Sequence, residues 1–203
     1  MFKKILIGAV VVLVAFLGFV ATRPATFKVE RSITVSAPAD VVFALVADFR
    51  KMEAWSPFMA PDPARKDTFD GTPAAVGHSL AWAGGQAGDG KMTILSLNRP
   101  EQLTLKLEFF KPFEALNEAV FQFKQAGKDT TVTWTMTGEN GFIGKAISVF
   151  MNMDKMVGSD FEKGLVTLKN LSESEAKKLA EAKAAQAAAA AAPAAPVVGN
   201  TVD

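Results

Sequence analysis

A chain of 203 residues has room for one domain of ordinary size with appendages, and is a tight fit for two. Its 22 basic and 21 acidic side chains leave a formal charge of +1, so no overall field draws it to nucleic acid or another polyanion. Cysteine is absent and His78 is the one histidine, which excludes disulfides, thiolate zinc, a cysteine nucleophile and a histidine-rich metal centre.

Lys3 and Lys4 precede an uncharged apolar stretch from Ile5 to Ala21, closed by Arg23 and Pro24. As helix, this stretch spans roughly 25 Å, close to the ~30 Å hydrocarbon core of a bilayer. It is longer than the usual apolar region of a signal peptide, and no A-x-A cleavage site follows. Residues 1–25 are therefore expected to be a transmembrane anchor, with a cleaved secretory signal as the alternative. The lysine pair favours a cytoplasmic N-terminus and so an extracytoplasmic, periplasmic-side domain. Arg23, Lys28 and Arg31, just past the other end, work against that bias.

A single domain is expected over residues 26–172. It opens with a strand in which Phe27, Val29, Ile33 and Val35 alternate with polar residues. Ser36 is placed to cap a short helix with Pro38 in its first turn, and Asp48 to cap a second that ends near Trp55. Pro57, Pro61 and Pro63 then break the helical pattern. Strands are predicted near 65–69, 78–83, 90–98, 102–110, 115–125 and 130–138. Their separators, such as Asp70-Gly71, Gly84-Gly85 and Lys111-Pro112, are hairpin-length turns, which implies an antiparallel meander. The last strand sets Thr131, Thr133, Thr135 and Thr137 on one face and Val132, Trp134 and Met136 on the other.

Met153, Val157, Phe161, Leu165 and Leu168 then form one stripe at helical period. Gly158 and Gly164 each cost this helix about 1 kcal/mol relative to alanine, which suggests close approach to the sheet or space kept for something else. Residues 173–203 are expected to be a solvated helix, held by Glu173–Lys177 and Glu175–Lys178 pairs to about Ala192, then a disordered Ala/Pro-rich tail. A curved sheet with one apolar face and a helix with one apolar stripe bury each other, giving an α+β domain.

The element order resembles the helix-grip fold of the START and birch-pollen-allergen superfamily, SRPBCC. The segments VERSITVSAPADVVFALVADFRKMEAWSPF, GKMTIL, LTLKLEFFKPFEALNEAVF, TVTWTM and FMNMDKMVGSDFEKGL resemble bacterial proteins of the polyketide cyclase/dehydrase type. The resemblance implies a curved antiparallel sheet of about seven strands wrapped on the long C-terminal helix, with two short helices after the first strand. It also implies a cavity between sheet and helix for a lipid, sterol, polyketide or other apolar molecule. The residues expected to line it are Trp82, Phe109, Phe121, Phe123, Trp134 and Met136 from strands. Met153, Val157 and Phe161 join them from the helix, and Trp55 and Phe58 from the loop at the mouth. The same side chains could equally be plain core, because volume is not written in a sequence.

Chemistry is harder to find. Asp154, Asp160 and Glu162 do not stack on one helical face and have Lys155 and Lys163 beside them, so a solvated surface explains them. His78 opens a strand after a glycine, where an exposed or edge position is expected; a polar cavity residue is the alternative. Asp62, Asp67 and Asp70 lack calcium-loop spacing, and the glycines of residues 84–90 open no helix, so phosphate cradling lacks its context. No catalytic residue, metal or cofactor is assigned. Three readings remain: a membrane-tethered module binding an apolar molecule or lipid, a cyclase- or dehydratase-like enzyme, and an interaction protein with a filled core.

Overall fold

Helix α1 (Phe2–Ala21) leads into strand β1 (Thr26–Val35), followed by helices α2 (Ala39–Ala47) and α3 (Phe49–Met52) and a 3-10 turn at Pro57–Met59. Six strands come next: β2 (Lys66–Asp70), β3 (Ser79–Ala83), β4 (Asp89–Asn98), β5 (Gln102–Lys111), β6 (Ala115–Ala126) and β7 (Asp129–Glu139). Helices α4 (Phe142–Phe150) and α5 (Met153–Ala191) close the chain. These elements come from a computed structural model, which describes residues 2–150 and 152–191. The expected Ala/Pro tail lies outside the described residues.

All pairings are antiparallel and the sheet order is β1-β7-β6-β5-β4-β3-β2. Strands β2 to β7 form the meander that their turn residues predict, and β1 closes onto β7 from Thr26↔Glu139 to Val35↔Thr130. This register gives the sheet two distinct ends. At the end where α1 joins lie Thr26, Glu139, the β5–β6 turn and the β3–β4 turn. The β6–β7 turn and the β2–β3 loop lie at the other.

The outer face is polar. Ser32 and Thr133 share a hydroxyl bond of 2.9 Å, and Thr135 donates to Glu30 at 2.8 Å. The inner face is apolar and carries α2, α3 and α5 against it. Trp134 of β7 and Phe161 of α5 stack with ring centroids 3.7 Å apart and planes 7° from parallel. Their contact is the centre of the grip.

Asp48 caps α3 as expected, accepting from the Arg50 amide at 3.1 Å. Ser36 does not cap α2. The N-cap position is Pro38, and the free Ala39 amide is satisfied instead by Gln125 Oε1 at 3.0 Å. The Ser36 amide donates to Glu173 at 2.9 Å, tying the end of β1 to α5. Glu173 thus faces the sheet and pairs back with Lys169 at 3.6 Å, so the expected Glu173–Lys177 pair is replaced by Lys177–Glu181.

Candidate functional site

The inner-face register separates the predicted site residues into two groups. Trp55, Phe121, Phe123, Trp134 and Phe161 are buried and pack on one another. Trp55 is also fixed by an indole N–H donated to the Leu45 carbonyl at 3.0 Å. Phe58 is partly exposed and sets its ring edge-on to both Trp134 and Phe161. These rings occupy the middle of the grip, where the resemblance implied a cavity.

The second group lies nearer the α1 end. Trp82, Leu107, Phe109, Met136, Met153 and Val157 are only half-buried, so the apolar face is less completely covered there. Cross-strand register makes Gly138, Asn117, Leu107 and Met92 successive neighbours in one row, with Phe109, Gly90 and Trp82 in the next. Gly90 is required by this packing, because a Cβ there would run into the Trp82 indole and the Glu108 carbonyl. Trp82 meets Phe109 edge-on at 5.8 Å.

Three polar atoms on this face are buried without a hydrogen-bond partner: Asn117 Oδ1, Trp82 Nε1 and Trp134 Nε1. Buried polar groups in folded proteins are nearly always paired, so an acceptor and two donors left open on an apolar face are unusual. Asn117 is the residue that sequence reasoning missed. The signal was present, since Asn117, Ala119, Phe121 and Phe123 share one face of β6 and only the first is polar.

The charged cluster is organised by Arg31, which projects from the inner face of β1 to α5. Its Nε donates to Glu162 at 2.6 Å and its terminal nitrogens reach Asp154 at 3.0 and 3.2 Å. The Arg31 hydrogen bonds hold the Asp154 carboxyl below its ordinary range, and those to Asp154 and Glu162 raise the guanidinium further. Asp89 is lowered by Lys111 and the Gly84 amide, and Asp62 by the Gln86 and Ala64 amides. All these shifts deepen permanent charge. None moves a group toward neutral pH, where a general acid or base works best.

His78 is buried rather than exposed or at an open edge, at 1% accessibility, stacked 4.7 Å from the Phe49 ring. Its Nδ1 bonds the Asp70 carbonyl at 2.9 Å and its Nε2 accepts from the Phe49 amide at 3.4 Å. Both nitrogens serve the main chain, which leaves neither for a ligand. The glycine-rich β3–β4 turn is pinned by side chains, with Asp62 accepting from Gln86 and Asp89 from Gly84, both at 2.9 Å.

The family profile described as polyketide cyclase / dehydrase and lipid transport matches residues 26–173. The chain belongs to that family. Solved structures agree on the fold. Protein CV1439 from Chromobacterium violaceum is 15% identical, with 74% of this chain and 98% of that one covered at a TM-score of 0.51. Major latex-like protein 151 from Panax ginseng is 16% identical, covering 75% and 99%, also at 0.51. Protein Mll3558 from Rhizobium loti is 17% identical, covering 70% and 96%, again at 0.51. None of the curated proteins matches the chain. The family's helix-grip architecture is thus present here, joined to an apolar N-terminal helix.

Proposed function

We propose that the domain binds an apolar small molecule or lipid against the α1-end half of the inner sheet face, under the first turns of α5, while α1 tethers it to a membrane. One observation carries this reading: Trp82, Leu107, Phe109, Met136, Met153 and Val157 are only half-buried, and on the same sheet face Asn117 Oδ1 and Trp82 Nε1 are unpaired. That is the composition of a small-molecule site, mostly apolar with a few polar groups fixing orientation. Covering such surface is worth roughly 25 cal/mol per Å². The two methionines adapt to varied ligand shapes. The family description, which includes lipid transport, supports the same class of ligand. The tether is supported by α1, a helix of 20 residues that is strongly apolar and almost wholly exposed.

The test is native mass spectrometry of the domain from Thr26 onward, purified from its own host, with extraction of what co-purifies. Val20 is the one described α1 residue that is buried, and none joins the main core cluster, so the sheet and α5 keep their packing without α1. The expected result is a bound apolar molecule that is lost in a Leu107→Trp variant. A domain that purifies empty and takes up no fatty-acid probe overturns the ligand reading. It would favour the interaction-protein reading, for which the tight Trp134–Phe161 stack speaks. Carbonate extraction of membranes carrying the full chain tests the tether, which fails if the protein is released.

A further inference from the structure

Two separate elements at the α1 end of the sheet expose phenylalanine to solvent. The first is the β5–β6 hairpin, whose tip shows Phe110, Phe113 and Leu116 at 52, 57 and 61% exposure. Its position follows from register: Phe109 pairs with Ala115 and Asn117 with Gly138, while Glu139 faces Thr26, five residues after Ala21 at the end of α1. The second is α4, which has Lys145 as its one charged residue and exposes Phe142 and Phe150 at 54 and 77%.

Helix α4 is also tied to α1 directly. It starts beside a recess of about 370 Å³ that includes Ala21, Asn140 and Phe142, and the Asn140 amide donates to the Ala25 carbonyl at 2.7 Å. Its other end sets Phe150 against Phe16, with ring centroids 6.1 Å apart. Phe16 lies five residues inside α1, about 7.5 Å along the helix from Ala21 at 1.5 Å per residue. Whatever surrounds the last turns of α1 therefore also surrounds Phe150.

We propose that α4 and the tip of the β5–β6 hairpin form a lipid-bilayer contact, with Phe113 and Phe150 entering the boundary between headgroups and acyl chains. This rests on the membrane reading of α1 and goes beyond a flexible tether, because it fixes how the domain sits. The half-covered end of the inner face is held at the bilayer, where an apolar molecule passes between membrane and protein without crossing water. Exposed phenylalanines at an apolar helix's exit match an interfacial segment, in which aromatic and aliphatic side chains are buried at headgroup depth. The charges nearby are mixed, with Glu114 and Glu139 beside Arg23, Lys111 and Lys145, so apolar insertion rather than attraction to anionic lipid is the driving term. Phosphatidylcholine vesicles are thus the appropriate probe.

The absence of cysteine makes the test clean. The full chain is reconstituted in phosphatidylcholine proteoliposomes as single-cysteine variants Phe113→Cys, Val12→Cys and Val76→Cys, each carrying an environment-sensitive fluorophore. Val12 reports on α1, and Val76 is an exposed apolar residue in the β2–β3 loop at the opposite end of the sheet. Expected are blue-shifted emission and quenching by acyl-chain nitroxide lipids at positions 113 and 12, and neither at 76. Position 113 as aqueous as 76 overturns the inference, and position 12 then decides separately whether the anchor stands. Quenching at 113 without quenching at 12 upholds the contact and removes the anchor. Leu116→Cys reads the same tip, so a folding defect in one variant does not decide the outcome.

Discussion

The Arg31 guanidinium lies against the backbone of α5 at Gly158, and a Cβ at that position would collide with it. The glycine that looks misplaced in a helix interior is what allows β1 to reach Asp154 and Glu162. Two effects compete in Gly158→Ala: about 1 kcal/mol of helix propensity gained, and displacement of the Arg31 pairs. In an Arg31→Ala background the substitution is expected to stabilise by about 1 kcal/mol. With Arg31 present that gain should vanish or reverse. A double-mutant cycle in urea measures the difference, and equal effects in both backgrounds would count against the argument.

Gly164 answers the same question differently. A Cβ there would sit 2.9 Å from Pro57 Cδ and 3.3 Å from the Trp134 ring, neither of which can swing away easily. Gly164→Ala is expected to be destabilising overall, with overpacking of about 1–3 kcal/mol set against the helix gain. Tryptophan emission should change with it, since the Trp134 indole must move. An unchanged denaturation midpoint and spectrum would show that the Pro57 turn yields.

Asp154 makes a pH prediction whose direction is set by its folded-state value, which Arg31 holds below the ordinary 3.8. A depressed carboxyl stabilises the fold fully above the unfolded value and loses that contribution as pH falls through the folded one. The stability difference between the parent and Asp154→Asn should therefore be constant above about pH 5 and shrink in acid. Chemical denaturation at several pH values reads this directly. A difference that grows on acidification would refute the assignment.

The strands were legible because alternation and turn residues repeat within a few positions, as in Thr130–Gly138 or across Gly127-Lys128-Asp129. The stripe from Met153 to Leu168 announced α5 for the same reason. What escaped was long-range. Arg31 and Asp154 stand 123 residues apart, and nothing local in either segment signals that they meet. Helix α4 escaped because its phenylalanines face outward, so its pattern resembles a loose apolar cluster rather than a core-facing stripe. The cavity was never legible: Trp134 and Phe161 have the same composition whether they line a space or fill it.

His78 serves the main chain, and its loss should be felt only in stability. Replacing it with leucine strands the buried Phe49 amide, at about 1–3 kcal/mol for a buried group left unpaired, and removes the partner of the Asp70 carbonyl. Denaturation should show the loss, while binding of an apolar probe at saturating stability is unchanged. Lost binding in a variant that remains folded would return His78 to the site.

Asn117 gives the sharpest separation between a structural and a binding role. Its Oδ1 is buried without a partner on an otherwise apolar row, which is a cost to the fold that a bound donor would relieve. A purely structural asparagine would lose stability on replacement. Here Asn117→Leu should leave stability unchanged or raise it, because an unsatisfied acceptor is removed and apolar surface is added. Affinity should move the other way for ligands that offer a donor. A long-chain alcohol or protonated fatty acid should bind the variant about tenfold more weakly, the equivalent of roughly 1.4 kcal/mol for one hydrogen bond. An alkane of equal length should bind both forms alike. Fluorescent-probe displacement with the alcohol and the alkane measures both arms. A variant that loses stability, or that weakens both ligands equally, would mean that Asn117 shapes the face without contacting what it holds.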